Sequence, residues 1–149
     1  FEDAGIPVLE NRAVALSKDG LRFWLAGTGS IVAIKKGRRR FEGRDDLDGT
    51  LAQVTDDRPV IHLAHEPDLF TIVPERVSVT LSGHTHGGQV RLLGWSPVTP
   101  SQFGNRFAYG HIVEEGRHLV VSGGLGCSIL PVRFGVPPEI TVVDLGAPA

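Results

Sequence analysis

The chain has 149 residues, 41% of them apolar and 21% charged, with a formal net charge of −2. That is one domain's worth of chain with enough apolar material for a real core. The even charge balance argues against a nucleic-acid partner, no apolar run approaches the ~18 residues of a membrane span, and the single cysteine, Cys127, excludes an intrachain disulfide.

The opening, FEDAGIPVLEN, has neither the basic start nor the apolar stretch of a signal peptide. No methionine occurs anywhere, so Phe1 reads as a boundary within a longer polypeptide. Pro7–Asn11 and Arg12–Ser17 read as short strands, and Leu21–Gly27 alternates well enough for another. Lys35–Arg40, KKGRRR, is the one basic run. It is a solvated loop or, on the sharper reading, a grip on phosphate or an anionic membrane surface, and the acids that follow dilute its field. Asp45–Val54 is the best helix candidate, with acid in its first turn, although Gly49 weakens it.

Arg58–His65 reads as a buried strand, and Pro67 and Pro74 bracket a short helical segment. Val77–Gly83 is a further strand, and Gly88–Gly94 follows it after a histidine turn. Tyr109–Gly124 has the pattern of a β-hairpin turning at Glu115-Gly116. Glu139–Leu145 is a last apolar strand. Glycines and prolines, 19 and 10 of them, are spread as in a fold of short strands and tight turns. The expected class is α+β, strand-rich, rather than a strict βαβ repeat.

Two of these strands run apolar and then end on histidine: the first at His65, the second at His84 and His86. Functional groups in α/β sheets gather beyond the carboxyl ends of strands. If the two strands lie side by side and parallel, three imidazoles converge there. An i, i+2 pair aims both rings at one place only where the backbone bends, and Gly83, Gly87 and Gly88 frame the pair with dihedrals that other residues avoid. Imidazole is the common ligand for zinc, iron and manganese. His62, three residues before His65, falls on the opposite strand face and is read as packing or hydrogen-bonding. His111 and His118 flank the hairpin and face each other across it. Trp24 and Trp95 are read as packing residues, and Cys127 as a structural thiol, since no base adjoins it.

GHTHGGQV (residues 83–90) resembles the last signature of the calcineurin-like metallophosphoesterases, and LAHEPDLF (residues 63–70) their preceding histidine motif. The tail GGLGCSILPVRFGVPPEITVVDL and the opening AGIPVLENRAV are similar to segments of a bacterial phosphohydrolase subgroup, so the likeness covers nearly the whole chain. The resemblance implies a four-layer α/β/β/α sandwich of which this chain is the C-terminal half, one incomplete domain over residues 1–149. It implies hydrolysis of phosphomonoesters, phosphodiesters or pyrophosphates by a metal-bound hydroxide attacking in line. By motif position His65 and His84 bind one ion and His86 the other, the ions being manganese, iron or zinc. Relatives include cytoplasmic and membrane-associated proteins, which leaves the compartment open.

The family's Asp-x-His, Gly-Asp-x-x-Asp and Gly-Asn-His motifs do not occur here. Two dications held close without a bridging carboxylate repel strongly, so the expectation is at most one ion in this chain and little or no turnover by it alone. A half-sandwich leaves an apolar sheet face bare, which calls for the other half or for self-association. Asp68 is either an orienter of the His65 loop or a helix-start acid. Gln89 hydrogen-bonds near His86 or begins the next strand, and Arg133 is a candidate phosphate donor. The rival readings are a non-enzymatic metal-binding β domain and an interaction module. A cupin needs a glutamate soon after its His-x-His pair and a metallo-β-lactamase needs His-x-His-x-Asp-His, and neither occurs.

Overall fold

The structure, a computed structural model, describes residues 1–38 and 40–146. Strands β1 (Arg12–Lys18) and β2 (Leu21–Gly27) form a tight hairpin in which Val14 faces Leu25 and Leu16 faces Phe23. A two-stranded ribbon follows, β3 (Ile34–Lys35) with β4 (Phe41–Glu42), and then a short helix α1 (Leu47–Leu51). The basic run lies on this exposed ribbon, where Lys36 pairs with Glu42 at 3.0 Å; its member Arg39 lies outside the described residues. Helix α1 is shorter than the Asp45–Val54 expected. Asp46 caps it by accepting from the Gly49 N–H at 2.8 Å, and that local bond competes with earlier helical turns.

Strand β5 (Val60–Leu63) leads through a 3₁₀ turn at Pro67–Ile72 into β6 (Val79–Ser82). After a long connection, β7 (Gly110–Glu114) and β8 (Arg117–Val121) make the second hairpin. Glu115 (φ 50°) and Gly116 (φ 76°) both adopt left-handed backbone at its turn, the geometry that matches strand twist. The strands form one six-stranded mixed sheet in the order β1-β2-β5-β6-β8-β7. The inner four, β2, β5, β6 and β8, are mutually parallel, and each edge is an antiparallel hairpin. A mixed sheet with little helix is the α+β class expected.

One face of the sheet is covered. Trp24, Ala26, Val60, Leu119 and Val121 from the strands pack against Leu47, Phe70, Val73, Val77 and Phe107 from the connections. Phe107 is fully buried, edge-to-face on Phe70 at 5.8 Å and Phe103 at 5.4 Å. Each such buried apolar side chain contributes about 1.5–3 kcal/mol. All the crossover segments therefore lie on this one side. The opposite face carries Val14, Leu25, Leu63 and Leu81 around a concavity of about 630 Å³, with His65 at its end.

Four expectations need correction. Pro7–Asn11 is not a strand. Neither is Glu139–Leu145, although Ile140 and Val142 alternate with polar neighbours and stand exposed; a strand exists only by pairing, and no described strand edge pairs with this segment. Gly88–Gly94 makes isolated bridges, Val90 to Phe134 and Leu92 to Trp95, instead of a strand. Trp24 is a packing residue, its indole N–H donating to Asp56 at 3.0 Å, but Trp95 is 59% exposed and does not pack in the core.

The histidine turn is built differently from what its glycines suggest. His84 (φ 64°), His86 (φ 53°), Gly87 (φ 61°), Gly88 (φ 80°) and Gln89 (φ 52°) are left-handed, but Gly83 is not. A Cβ at Gly83 would meet open space, whereas one at Gly87 would sit 2.7 Å from Val136 Cγ1 and one at Gly88 would overlap the Ser96 side chain. The two histidines themselves carry the strained backbone, at a cost of about 1–3 kcal/mol each.

His62 lies on the covered face, fully buried, with Nε2 3.1 Å from Thr28 Oγ1 and Nδ1 3.5 Å from Thr80 Oγ1. Burial pushes its pKa down to about 4. The unfolded chain therefore takes up this proton first, and the stability that the neutral ring contributes is complete above about pH 6.5 and lost as pH falls toward 4. Chemical denaturation should show a loss on the order of 3 kcal/mol across that window, and His62→Gln should flatten the slope; an unchanged slope would refute the assignment. By the same method Gly88→Ala should destabilise by at least ~2 kcal/mol while Gly83→Ala stays within ~0.5 kcal/mol of the parent, and equal effects would contradict the geometry of the turn.

Candidate metal centre

Parallel pairing of β5 and β6 sets Ile61 opposite Val79, His62 opposite Thr80 and Leu63 opposite Leu81. The ladder continues past both strand ends: the Ala64 N–H donates to the Leu81 carbonyl at 3.1 Å and the Gly83 N–H to the His65 carbonyl at 3.1 Å. His65 and His84 therefore leave neighbouring strands at the same level. Their rings meet edge-to-face, with centroids 5.1 Å apart at 77°.

Glu66 completes a group. One ligand atom each from His65, Glu66 and His84 lie within 4.8 Å of one another. His65 is exposed, His84 half-buried and Glu66 buried. The Glu66 carboxylate accepts from Ser30 Oγ at 2.7 Å and from the Ile31 N–H at 3.1 Å, one bond on each oxygen. Each oxygen keeps a further lone pair. Two imidazoles and a carboxylate are the donor set that zinc-class ions take in sites with an open position, so the residues fit a divalent ion.

His86 is not a member of that group. Its Nδ1 lies 3.1 Å from the Gly126 carbonyl. A carbonyl only accepts, so Nδ1 carries the proton and Nε2 keeps its lone pair. That is how metal-ligating histidines are commonly oriented. The backbone between the two histidines is pinned by Thr85, a buried side chain whose hydroxyl donates to the Ala108 carbonyl at 2.7 Å. Burial pushes the pKa of His84 down; Glu66 and Asp68 oppose that, and His65 and His86 add to it. The ring is thus held toward its neutral, ligating form, and the four groups lie within electrostatic reach of it.

The other residues singled out from the sequence act on the frame. Asp68 is buried, accepts from Ser101 Oγ at 2.5 Å and from the Gln102 N–H at 2.9 Å, and so ties the Pro67–Ile72 turn to the loop at Ser101. It is also the acid in the first turn of that segment, whose N-cap is Glu66. The Gln89 side chain donates to the carbonyls of Leu130 (3.1 Å) and Val132 (3.2 Å) and accepts from Ser128, so it holds the loop that bears Gly126, while its backbone N–H donates to the His86 carbonyl at 3.0 Å. Arg133 donates to the carbonyls of Gly123, Gly126 and Val136. Its guanidinium is directed at backbone, and its place is that of a clamp on the loop, not of a donor pointed at the cluster. Cys127 is exposed on the same loop.

Glu66 is the residue that sequence reasoning missed. Its signal was present: an acid between the strand-end histidine and a proline, where the chain must turn at once. Reading it needed the 30–31 loop, which arrives from 35 residues away and has no motif of its own.

No family model and no solved structure matches the chain. Curated proteins do. It is 39% identical over 104 residues to the uncharacterized metallophosphoesterase YkuE of Bacillus subtilis, covering 69% of this chain and 36% of that protein. It is 31% identical over 147 residues to phosphodiesterase YaeI of Escherichia coli, covering 97% of this chain and 49% of that protein. With the transmembrane protein with metallophosphoesterase domain of Bos taurus it shares 34% identity over 106 residues, 68% of this chain and 23% of the relative. The chain spans about half the length, or less, of the curated relatives it matches. Among the described residues no helix is long and apolar enough to cross a membrane. Proteins named for a metallophosphoesterase in a bacillus and a mammal align with more than two thirds of this sequence at over 30% identity, and the chain belongs to the metallophosphoesterase family.

Proposed function

We propose that this chain carries the histidine-bearing part of a metal-dependent phosphoesterase, with His65, Glu66, His84 and His86 as the ligands it contributes to a manganese, iron or zinc centre. The observation that carries this is the convergence of His65, Glu66 and His84 at the carboxyl ends of two parallel strands. A divalent ion held there supplies Lewis acidity toward a phosphate ester and lowers the pKa of water. The chain's own residues do the rest. Thr85 fixes the spacing of the two imidazoles, Gly126 sets the tautomer of His86, and Asp68 steadies the turn that follows His65. Arg133 and Gln89 brace the loop that presents Gly126. On this reading they are positioning residues.

The substrate class is a phosphate ester. The names of the relatives favour it, the phosphodiesterase YaeI in particular. Glu66 is the acid that joins the cluster among the described residues, and two ions a few ångströms apart need a bridging carboxylate in addition. We therefore read this chain as holding one ion and as turning over poorly by itself. The bare apolar face supports a second sheet packing there, as in a four-layer sandwich, supplied by further polypeptide or by a second copy of this chain.

Calorimetric titration with manganese and zinc should give about one equivalent bound. His84→Ala should abolish it, Glu66→Gln should weaken it at least tenfold, and Thr85→Val should weaken it ~10–100-fold through misplacement of the rings. Unchanged affinity in His84→Ala would overturn the site. With bis-p-nitrophenyl phosphate and manganese, the 149-residue chain should show negligible hydrolysis; robust turnover that disappears in His84→Ala would prove the chain sufficient and this reading too narrow.

A further inference from the structure

A second pair of histidines lies on the β7–β8 hairpin, on the opposite side of β6 from β5 and therefore from His65. His111 stands opposite Val120 and His118 opposite Val113. Cross-strand partners and alternate residues share a face, so the two imidazoles are diagonal neighbours on the sheet face that no connection covers. Both are exposed. His111 Nε2 and His118 Nδ1 are 3.0 Å apart, and the rings are nearly parallel, at 19°. Five consecutive residue pairs and a tight turn fix the hairpin register, so the pair is preorganised by backbone instead of by contacts to a ligand.

We propose that His111 and His118 form a two-nitrogen chelate for a divalent transition ion that prefers tetragonal coordination, the cupric ion first and nickel next. Affinity decides the class: for nitrogen donors it rises along the first-row series to the cupric ion and falls again at zinc, and tetragonal nitrogen and oxygen sites suit copper and nickel. The observed 3.0 Å is a hydrogen-bond spacing, and it sets the two nitrogens close enough for one ion to take both once the rings turn. One of the two facing nitrogens now carries the hydrogen bond's proton. Binding takes that ring in its other tautomer: the proton passes through solvent to the far nitrogen of the same ring, with no net release, and each facing lone pair then turns to the ion while water fills the remaining positions. Nearby cations do not oppose the approach. Arg106 is paired with Glu114 through two bonds of 2.8 Å, and Arg117 is bound to Glu115 and to the carbonyls of Phe70 and Val73 on the covered side. Both rings are exposed on the outermost hairpin of the sheet, with β7 at its edge, and that edge gives the ion access from solvent. This inference is independent of the proposed phosphoesterase centre, which uses other residues on other strands.

The test separates the two sites. In a His65→Ala/His84→Ala/His86→Ala background, cupric ion should bind with a paramagnetic resonance spectrum showing coupling to two imidazole nitrogens, and zinc should bind at least tenfold more weakly. Adding His118→Ala should lower the cupric affinity at least tenfold. Cupric affinity unmoved by His118→Ala, or zinc bound as tightly as copper, would overturn the proposal. The parent chain provides a measurement free of any folding concern. Cupric ion added beyond one equivalent, after the His65–His84 centre is filled, should broaden the imidazole resonances of His111 and His118, and resonances of this pair that stay sharp would refute the chelate outright.

Discussion

The bond from the Gly83 N–H to the His65 carbonyl is the constraint on which the site depends. It extends the parallel ladder of β5 and β6 beyond the last regular pair, and it holds level two residues that are 18 positions apart in the chain. Without it, His65 and His84 are two histidines at the ends of two strands. With it they are ring against ring, and Glu66, next in sequence, is carried into the same place. Parallel pairing brings the carboxyl ends of both strands to one edge of the sheet, so the chemistry collects on that edge and nowhere else along β5 or β6.

What surrounds the cluster is a set of hydrogen bonds that tie its side chains and their neighbours to the hydroxyls and backbone of incoming loops. Ser30 and Ile31 hold the Glu66 carboxylate, Ser101 and Gln102 hold Asp68, Ala108 holds Thr85, and Gly126 holds His86. These loops come from four separate stretches of chain and meet only at the strand ends. The left-handed backbone of His84 and His86 is affordable for that reason: a conformation that is costly in isolation persists where several bonds over-determine it. Charge follows the same logic, since the half-buried His84 is kept toward its neutral form by loss of solvent while two acids nearby limit the shift.

The sheet is finished on one side only. Every connection between parallel strands crosses the same face, and the aromatic cluster of Phe70, Phe103 and Phe107 closes the core there. The other face presents Val14, Leu25, Leu63 and Leu81 in a shallow trough that ends at His65. The trough thus borders the cluster of His65, Glu66 and His84, so the bare face and the candidate metal site adjoin. The exposed alternation of Ile140 and Val142 has the same character: a strand-forming segment without a described strand to pair with.

Much of this was legible in the residues. Leu21–Gly27, the hairpin turning at Glu115-Gly116 and the two histidine-ended strands follow from alternation, turn chemistry and short apolar runs, all of which act over a few residues. The family signature around His84 and His86 was equally local. Tertiary structure alone decided the rest. Glu139–Leu145 has strand composition and no strand, because pairing needs a neighbour that composition does not supply. Arg133 is a candidate phosphate donor by residue type, and only the tertiary structure shows that its guanidinium donates to the carbonyls of Gly123 and Gly126. Glu66 became part of the cluster because a ladder, invisible in either strand's own sequence, set the level at which two strands end. Local pattern names the ligands; which of them meet is determined by register, and register is a property of strands taken in pairs.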